Sequence, residues 1–175
     1  MSTHEPRILF VDRDGTLIEE PADEQIDSYA KFRLLPGVVS SLRRLVEGGF
    51  ELVMVSNQDG LGSETFPQAA FDGPQQLLLD ILAAEGIRFR EILIDPHRPG
   101  DNAPTRKPGV GQVRHYLGAG RMDREHSAVI GDRESDMAFA ANLGVRGIRI
   151  GRDGDWPAIA RQTVELYQRL LSDKK

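Results

Sequence analysis

An α/β fold is expected, a Rossmann-like doubly wound parallel sheet of about five strands, and three observations predict it. Five short apolar runs recur along the chain. Stretches with apolar residues three and four apart separate them. Acidic, hydroxyl and basic residues cluster directly after the runs, where sheets of this kind bind their ligands.

The runs are Ile8-Leu9-Phe10-Val11, Leu52-Val53-Met54-Val55, Ile92-Leu93-Ile94, Ala128-Val129-Ile130 and Gly147-Ile148-Arg149-Ile150. Each has the length and continuous apolar character of a strand covered on both faces. Val38, Val39, Leu42, Leu45 and Val46 mark an amphipathic helix that stops at Gly48-Gly49. Leu77, Leu78, Ile81 and Leu82 mark a second, with Gly73-Pro74 expected at its first turn and Gly86 near its end. Val110, Val113 and Leu117 suggest a weaker third helix, Met137 to Leu143 a fourth before Gly144, and Asp155-Trp156-Pro157 opens the last. Two longer aperiodic segments, Glu19 to Pro36 and Asp95 to Pro108, begin at strand ends, where long loops commonly carry function.

The 175 residues, 39% hydrophobic and 28% charged, suit one domain spanning 1–175. The chain has no cysteine, so a thiolate metal site, a cysteine nucleophile and a disulfide are all excluded, and metal ligation falls to carboxylates and histidine. A net charge of -5 without a cluster of basic residues argues against a nucleic-acid partner. The polar start Met1 to Arg7 and the brevity of Ile8–Val11 argue against a membrane segment and set the expectation of a cytoplasmic protein. The charged tail Leu170 to Lys175 reads as a frayed end, a linker stub or a boundary.

The strongest chemical signal is Asp12-Arg13-Asp14-Gly15-Thr16 at the first strand exit. Two carboxylates two residues apart can face one site, and their repulsion is relieved if a Mg²⁺ binds there. Asp12 is then a nucleophile for a phosphoryl group, and Asp14 an acid that protonates the leaving alcohol and later accepts a proton from water. Taken alone, Asp-x-Asp-Gly is also a common surface turn. Other strand exits change the balance. Ser56-Asn57-Gln58 offers a hydroxyl and backbone N–H groups for phosphoryl oxygens, and Arg106-Lys107-Pro108 brings a point charge. Gly131-Asp132-Arg133-Glu134-Ser135-Asp136 supplies carboxylates near the metal, although Asp136 is equally suited to a helix N-terminus.

With those residues in order, the chain resembles the haloacid dehalogenase superfamily of phosphohydrolases, whose four motifs are matched. The resemblance implies minimal cap loops, first and fourth strands side by side, and Asp12 as nucleophile with Asp14 as acid/base. It further implies Ser56, Asn57 and Lys107 as phosphoryl binders. Asp12, Asp14 (through its backbone carbonyl) and Asp132 would serve as Mg²⁺ ligands, with Asp136 supporting the metal shell or Lys107. Asn57-Gln58-Asp59-Gly60-Leu61-Gly62, Phe66-Pro67-Gln68 and Phe71-Asp72-Gly73-Pro74 look like the histidinol-phosphate phosphatase domain, often fused to imidazoleglycerol-phosphate dehydratase. That likeness implies hydrolysis of L-histidinol phosphate to L-histidinol and phosphate, either by a stand-alone enzyme or by the phosphatase half of a longer chain with a fused dehydratase domain.

Many relatives hold a zinc ion with three cysteines and a histidine, where this chain has Asp95, His97, Ala103 and Thr105, so a structural zinc is not expected. For the substrate's amine and imidazole the candidates are Glu20 and Gln25 first, with Glu19, Asp23, Asp59 and Asp72 behind them, and Arg106 is a further substrate-binding candidate. Phe66 and Trp156 read as packing residues. A heptose bisphosphate is the alternative substrate within the same chemistry. A receiver-like signalling or binding module is the alternative outside it, weakened by the paired aspartates lying on the first strand rather than a middle one.

Overall fold

The computed structural model describes residues 5–173, so readings of Met1 to His4 and of Lys174-Lys175 lie outside the described residues. Five parallel strands form one sheet: β1 Ile8–Val11, β2 Glu51–Asn57, β3 Phe89–Asp95, β4 Ala128–Gly131 and β5 Arg146–Arg149, in the order β3-β2-β1-β4-β5. Because β1 pairs with both β2 and β4, the chain direction of the crossovers reverses beside it, and the loops after β1 and β4 emerge together. Four α-helices accompany them: α1 Val38–Glu47, α2 Gln68–Ala84, α3 Glu134–Leu143 and α4 Trp156–Asp173.

The sheet is covered on both faces, which explains the unbroken apolar runs. Leu9, Val11 and Met54 pack into a core with Leu42 of α1, Leu78 of α2 and Ile159 of α4. The alternate residues Ile8, Phe10 and Val53 pack the other way, against Val113, Tyr116 and Phe139. Successive strand side chains point to opposite faces, so β1 serves both cores and is fully buried.

Three local expectations are corrected. The segment with Val110, Val113 and Leu117 is a 3-10 helix, Gly111–Leu117, and its period of three buries Val113 and Tyr116 on one side. Pro74 lies inside α2 rather than in its first turn, because the helix begins after Pro67. Proline withholds an N–H from the ladder and crowds the residue before it. That residue is Gly73, without a Cβ to crowd, and a Cβ there would meet the Tyr29 hydroxyl at 2.9 Å. Third, β3 extends beyond its apolar triplet, because an edge strand tolerates exposed Arg90 at one of its positions.

Between β1 and α1 there are only loops, isolated bridges and a 3-10 turn at Tyr29–Lys31, and between β2 and α2 only a loop with one bridge. Cover over the carboxyl edge of the sheet is therefore limited to loops. Among the described residues no helix is long and apolar enough to cross a membrane.

Candidate active site

The loop after β1 is a tight turn held by one carbonyl. The Arg13 oxygen accepts from the backbone N–H groups of Thr16, Leu17 and Ile18, and Gly15 adopts φ +74°. A Cβ on Gly15 would lie 2.3 Å from Asp132 Oδ2, so glycine lets the loops after β1 and β4 approach. Trp156 braces the turn from beneath, its indole N–H donating to the Thr16 carbonyl at 2.6 Å. Gly15→Ala is expected to cost about 1–2 kcal/mol of backbone strain, plus a displaced Asp132. A lowered thermal midpoint together with weaker divalent-ion binding checks it.

Asp12 and Asp14 leave this turn almost buried, each 8% exposed. Lys107 Nζ donates to Asp12 Oδ1 at 2.9 Å and to Asp136 Oδ1 at 2.7 Å. Thr16 Oγ1 lies 3.4 Å from Asp12 Oδ2 and 3.2 Å from Asp132 Oδ1, and its single hydrogen can serve only one of them at a time. Asn57 clamps the lysine backbone in both directions, accepting from Lys107 N at 3.0 Å and donating to Lys107 O at 3.1 Å. That commits the Asn57 oxygen and one of its two amide hydrogens, which leaves the second amide hydrogen for a phosphoryl contact. Ser56, 1% exposed, ends the buried part of β2 beside it.

Carboxylate oxygens of Asp12, Asp132 and Asp136 lie within 4.8 Å of one another. Asp136 opens α3, where Oδ2 accepts from the Arg133 backbone N–H at 3.1 Å while Oδ1 holds Lys107. It thus performs both the cap and the lysine support that the sequence left open. The Asp14 side chain lies outside this cluster: Oδ1 accepts from Arg13 Nη1 at 2.9 Å and Oδ2 from Gln58 Nε2 at 2.8 Å. An Asp14 metal contact therefore falls to its backbone carbonyl. Arg149 Nε donates to the Asp132 carbonyl at 2.8 Å and tethers that loop to β5.

The charges decide what the cluster can hold. One ammonium serves two buried carboxylates, which leaves net negative charge. Burial, together with the charges of Asp136 and Asp14, pushes Asp12 up to about 8 despite the offset from Lys107. Burial likewise holds Asp14 above the ordinary carboxylate range, against the opposing pull of Arg13 and Gln58. Burial pulls the Lys107 ammonium down, but Asp12 and Asp136 together outweigh it and keep it charged. An all-oxygen set with surplus negative charge, opened for close approach by Gly15, fits a small hard divalent cation.

Glu20, Gln25 and Arg106 line the same cleft, together with Asp23, Asp59 and Arg133, and acids outnumber bases around it. Four of these residues are already paired with one another. Arg133 Nη2 donates to both Glu20 oxygens, at 2.5 and 2.7 Å, and burial holds Glu20 above its usual range despite that partner. Arg106 Nη2 donates to both Asp59 oxygens at 2.9 Å, while its Nε reaches the His97 carbonyl at 3.1 Å. Asp72 instead accepts from Gln68 on α2. Phe66 and Trp156 are each 1% exposed and packed, Phe66 edge-on to Phe71.

The segment 95–105 is ordered by hydrogen bonds. Asp95, 1% exposed, accepts from His97 N at 3.0 Å and faces the His97 ring at 3.2 Å. The Asp95 and Pro96 carbonyls accept from Gln58 N and Gly60 N. Among the described residues, no cluster of three potential ligands forms around His97.

Gln58, Arg13 and Arg133 were not singled out from sequence. Gln58 stood within a motif without an assigned role, and no periodicity marks the two arginines.

Residues 104–161 match a family model described as HAD-hydrolase-like. The chain is 53% identical over 169 residues to the histidine biosynthesis bifunctional protein HisB of Xanthomonas campestris pv. campestris (strain B100), covering 94% of this chain. It is 51% identical over 169 residues to the protein of the same name from Xylella fastidiosa (strain M23). The chain spans 45% of the length of each of these relatives. Among solved structures, the fold is similar to a D,D-heptose 1,7-bisphosphate phosphatase from B. bronchiseptica complexed with magnesium and phosphate. The TM-score is 0.78 at 24% identity, with 91% of this chain and 98% of that one covered. A putative HAD-like phosphatase from Mesorhizobium loti aligns with a TM-score of 0.73 at 21% identity, with 93% and 87% covered. The four loops that carry Asp12, Ser56, Lys107 and Asp132 meet at one end of this shared sheet, and the chain belongs to the haloacid dehalogenase-like hydrolases.

Proposed function

We propose that residues 1–175 form one phosphatase domain that hydrolyses L-histidinol phosphate to L-histidinol and phosphate with Mg²⁺, in the cytoplasm. The observation that carries the substrate assignment is the 53% identity to histidine biosynthesis proteins across nearly the whole chain. Excess acid around the cleft supports it, since imidazole and amine are cationic or hydrogen-donating groups. A fused dehydratase domain would account for the part of those relatives that this chain does not span.

Asp12 attacks phosphorus and the P–O bond to the alcohol breaks, with Asp14 giving its proton to the departing oxygen. Water then attacks the aspartyl-phosphate, Asp14 takes the proton from that water, and phosphate leaves with Asp12 restored. Two of the three ammonium hydrogens of Lys107 are occupied by Asp12 and Asp136, which leaves the third for a phosphoryl oxygen. Asp12, Asp132 and the Asp14 carbonyl would hold Mg²⁺, which supplies charge neutralisation for the phosphoryl oxygens.

Phosphate release from L-histidinol phosphate and from a panel of sugar and amino-alcohol phosphates, with Mg²⁺ and with EDTA, tests the reading. Preference for L-histidinol phosphate that is lost in EDTA is expected. Preference for a heptose bisphosphate would overturn the substrate and keep the chemistry, whereas failure to turn over any ester would overturn both.

A further inference from the structure

The Asp14 carboxylate is gripped from two sides, and one grip reaches further. Arg13 Nη1 donates to Oδ1 at 2.9 Å, and Gln58 Nε2 donates to Oδ2 at 2.8 Å. The same amide nitrogen lies 2.9 Å from Ser56 Oγ and donates to it as well. Arg13 is 0%, Ser56 1% and Gln58 2% exposed, so these contacts are shielded from competing water. A side-chain amide nitrogen carries two hydrogens, and here both are used. Gln58 is itself anchored, its backbone N–H donating to the Asp95 carbonyl at 2.7 Å and its carbonyl accepting from Leu61 N at 3.1 Å.

We propose that Gln58 is a positioning residue that couples the proton donor to the phosphoryl site. Its single amide sets the plane of the Asp14 carboxyl group and the direction of the Ser56 hydroxyl. This deepens the phosphatase reading and rests on Asp14 acting as its acid and base. A carboxyl group rotates in a broad two-fold well, and one donor on one oxygen leaves it free to swing. Arg13 alone is such a donor; Gln58 on the second oxygen removes the freedom. Ser56 Oγ, accepting from the amide, keeps its own hydrogen for a phosphoryl oxygen. Two groups that must act on the same substrate are thus held in register by one side chain.

The role predicts a dependence on the leaving group. An alkoxide needs a proton as it departs, so misplacing Asp14 slows transfer from an alkyl phosphate. p-Nitrophenolate leaves as a stable anion and needs none. General weakening of the fold would slow both esters alike.

The test compares kcat/KM, which reports transfer to Asp12, for L-histidinol phosphate and p-nitrophenyl phosphate in the presence of Mg²⁺. The proteins are the wild-type chain, Gln58→Met, Gln58→Ala and Asp14→Asn, with thermal unfolding as a check on folding. Gln58→Met keeps length and volume but cannot donate. It is expected to lower kcat/KM about 10- to 100-fold on the alkyl ester and by a distinctly smaller factor on the aryl ester, where only the direction of the Ser56 hydroxyl is lost. Gln58→Ala should give the same split, and it decides the matter if the methionine variant misfolds. An equal fall on both esters, or no fall on either, overturns the inference. If Asp14→Asn shows the split and both Gln58 variants do not, the inference alone fails. If Asp14→Asn lacks the split, or the wild-type chain hydrolyses neither ester, the acid/base reading fails and carries the inference with it.

Discussion

Asp12→Asn is expected to lower phosphate release by at least about 10⁴-fold while making the metal-free protein more stable. Loss of activity follows because an amide cannot attack phosphorus to form an acyl phosphate. The gain in stability follows from charge. Asp12 shares one ammonium with Asp136, and Asp14 lies two residues away, so ionising all of them leaves buried negative charge uncompensated. Asparagine keeps an oxygen to accept from Lys107 and removes that charge. A folded variant with a raised thermal midpoint and no turnover supports the nucleophile assignment; turnover within tenfold of wild type would end it.

The same residue sets a pH dependence whose sign can be worked out. The folded chain holds a proton on Asp12 up to about 8, whereas the unfolded chain releases it near the ordinary 3.8. Its contribution is fully present below 3.8 and is lost as pH rises toward 8. Asp14 and Glu20, also raised by burial, act in the same direction. In EDTA the thermal midpoint should therefore fall by several degrees between pH 5 and pH 8, roughly in line with one released proton. A divalent ion replaces that proton, so Mg²⁺ should stabilise more at pH 8 than at pH 5. Asp12→Asn should flatten the slope in EDTA. A midpoint in EDTA that rises across this interval would show that Asp12 is ionised in the folded protein throughout.

The order of elements was legible because both faces of the sheet are covered, so Ile8–Val11 and Ala128–Ile130 had to be continuous apolar runs. The pairing of β1 with β4 was reachable only through the resemblance, since no local pattern states which strands are neighbours. Asp12, Ser56, Lys107 and Asp132 were legible as reactive types at strand exits. What their partners do was not. Gln58 belongs to a turn whose sequence says nothing of a side chain reaching Asp14, and the pairing of Glu20 with Arg133 spans 113 positions. The start of α2 was misread because Pro74 looked like a beginning, while Gly73 makes it tolerable inside the helix and the extra turns carry Phe71 under the Arg13 guanidinium, 4.7 Å from its ring.

Lys107→Met should lower stability by about 3–5 kcal/mol and kcat/KM by about 10²- to 10³-fold. Lys107 is 3% exposed, and methionine fills its stem volume without the charge. Asp12 and Asp136 then lose their shared cation, and the cost of leaving them ionised or of protonating them inside the fold, more than lost packing, dominates. Mg²⁺ should recover part of the stability, because a divalent ion on Asp12 and Asp132 neutralises one of the orphaned groups, but little of the activity. The decisive comparison is the double variant. If the penalty is uncompensated charge, Lys107→Met should cost markedly less in the Asp12→Asn background, where only Asp136 is stranded, giving a coupling well above 0.5 kcal/mol. If the two changes simply add, Lys107 supports the fold through its stem and the charge network around Asp12 is not what makes it indispensable.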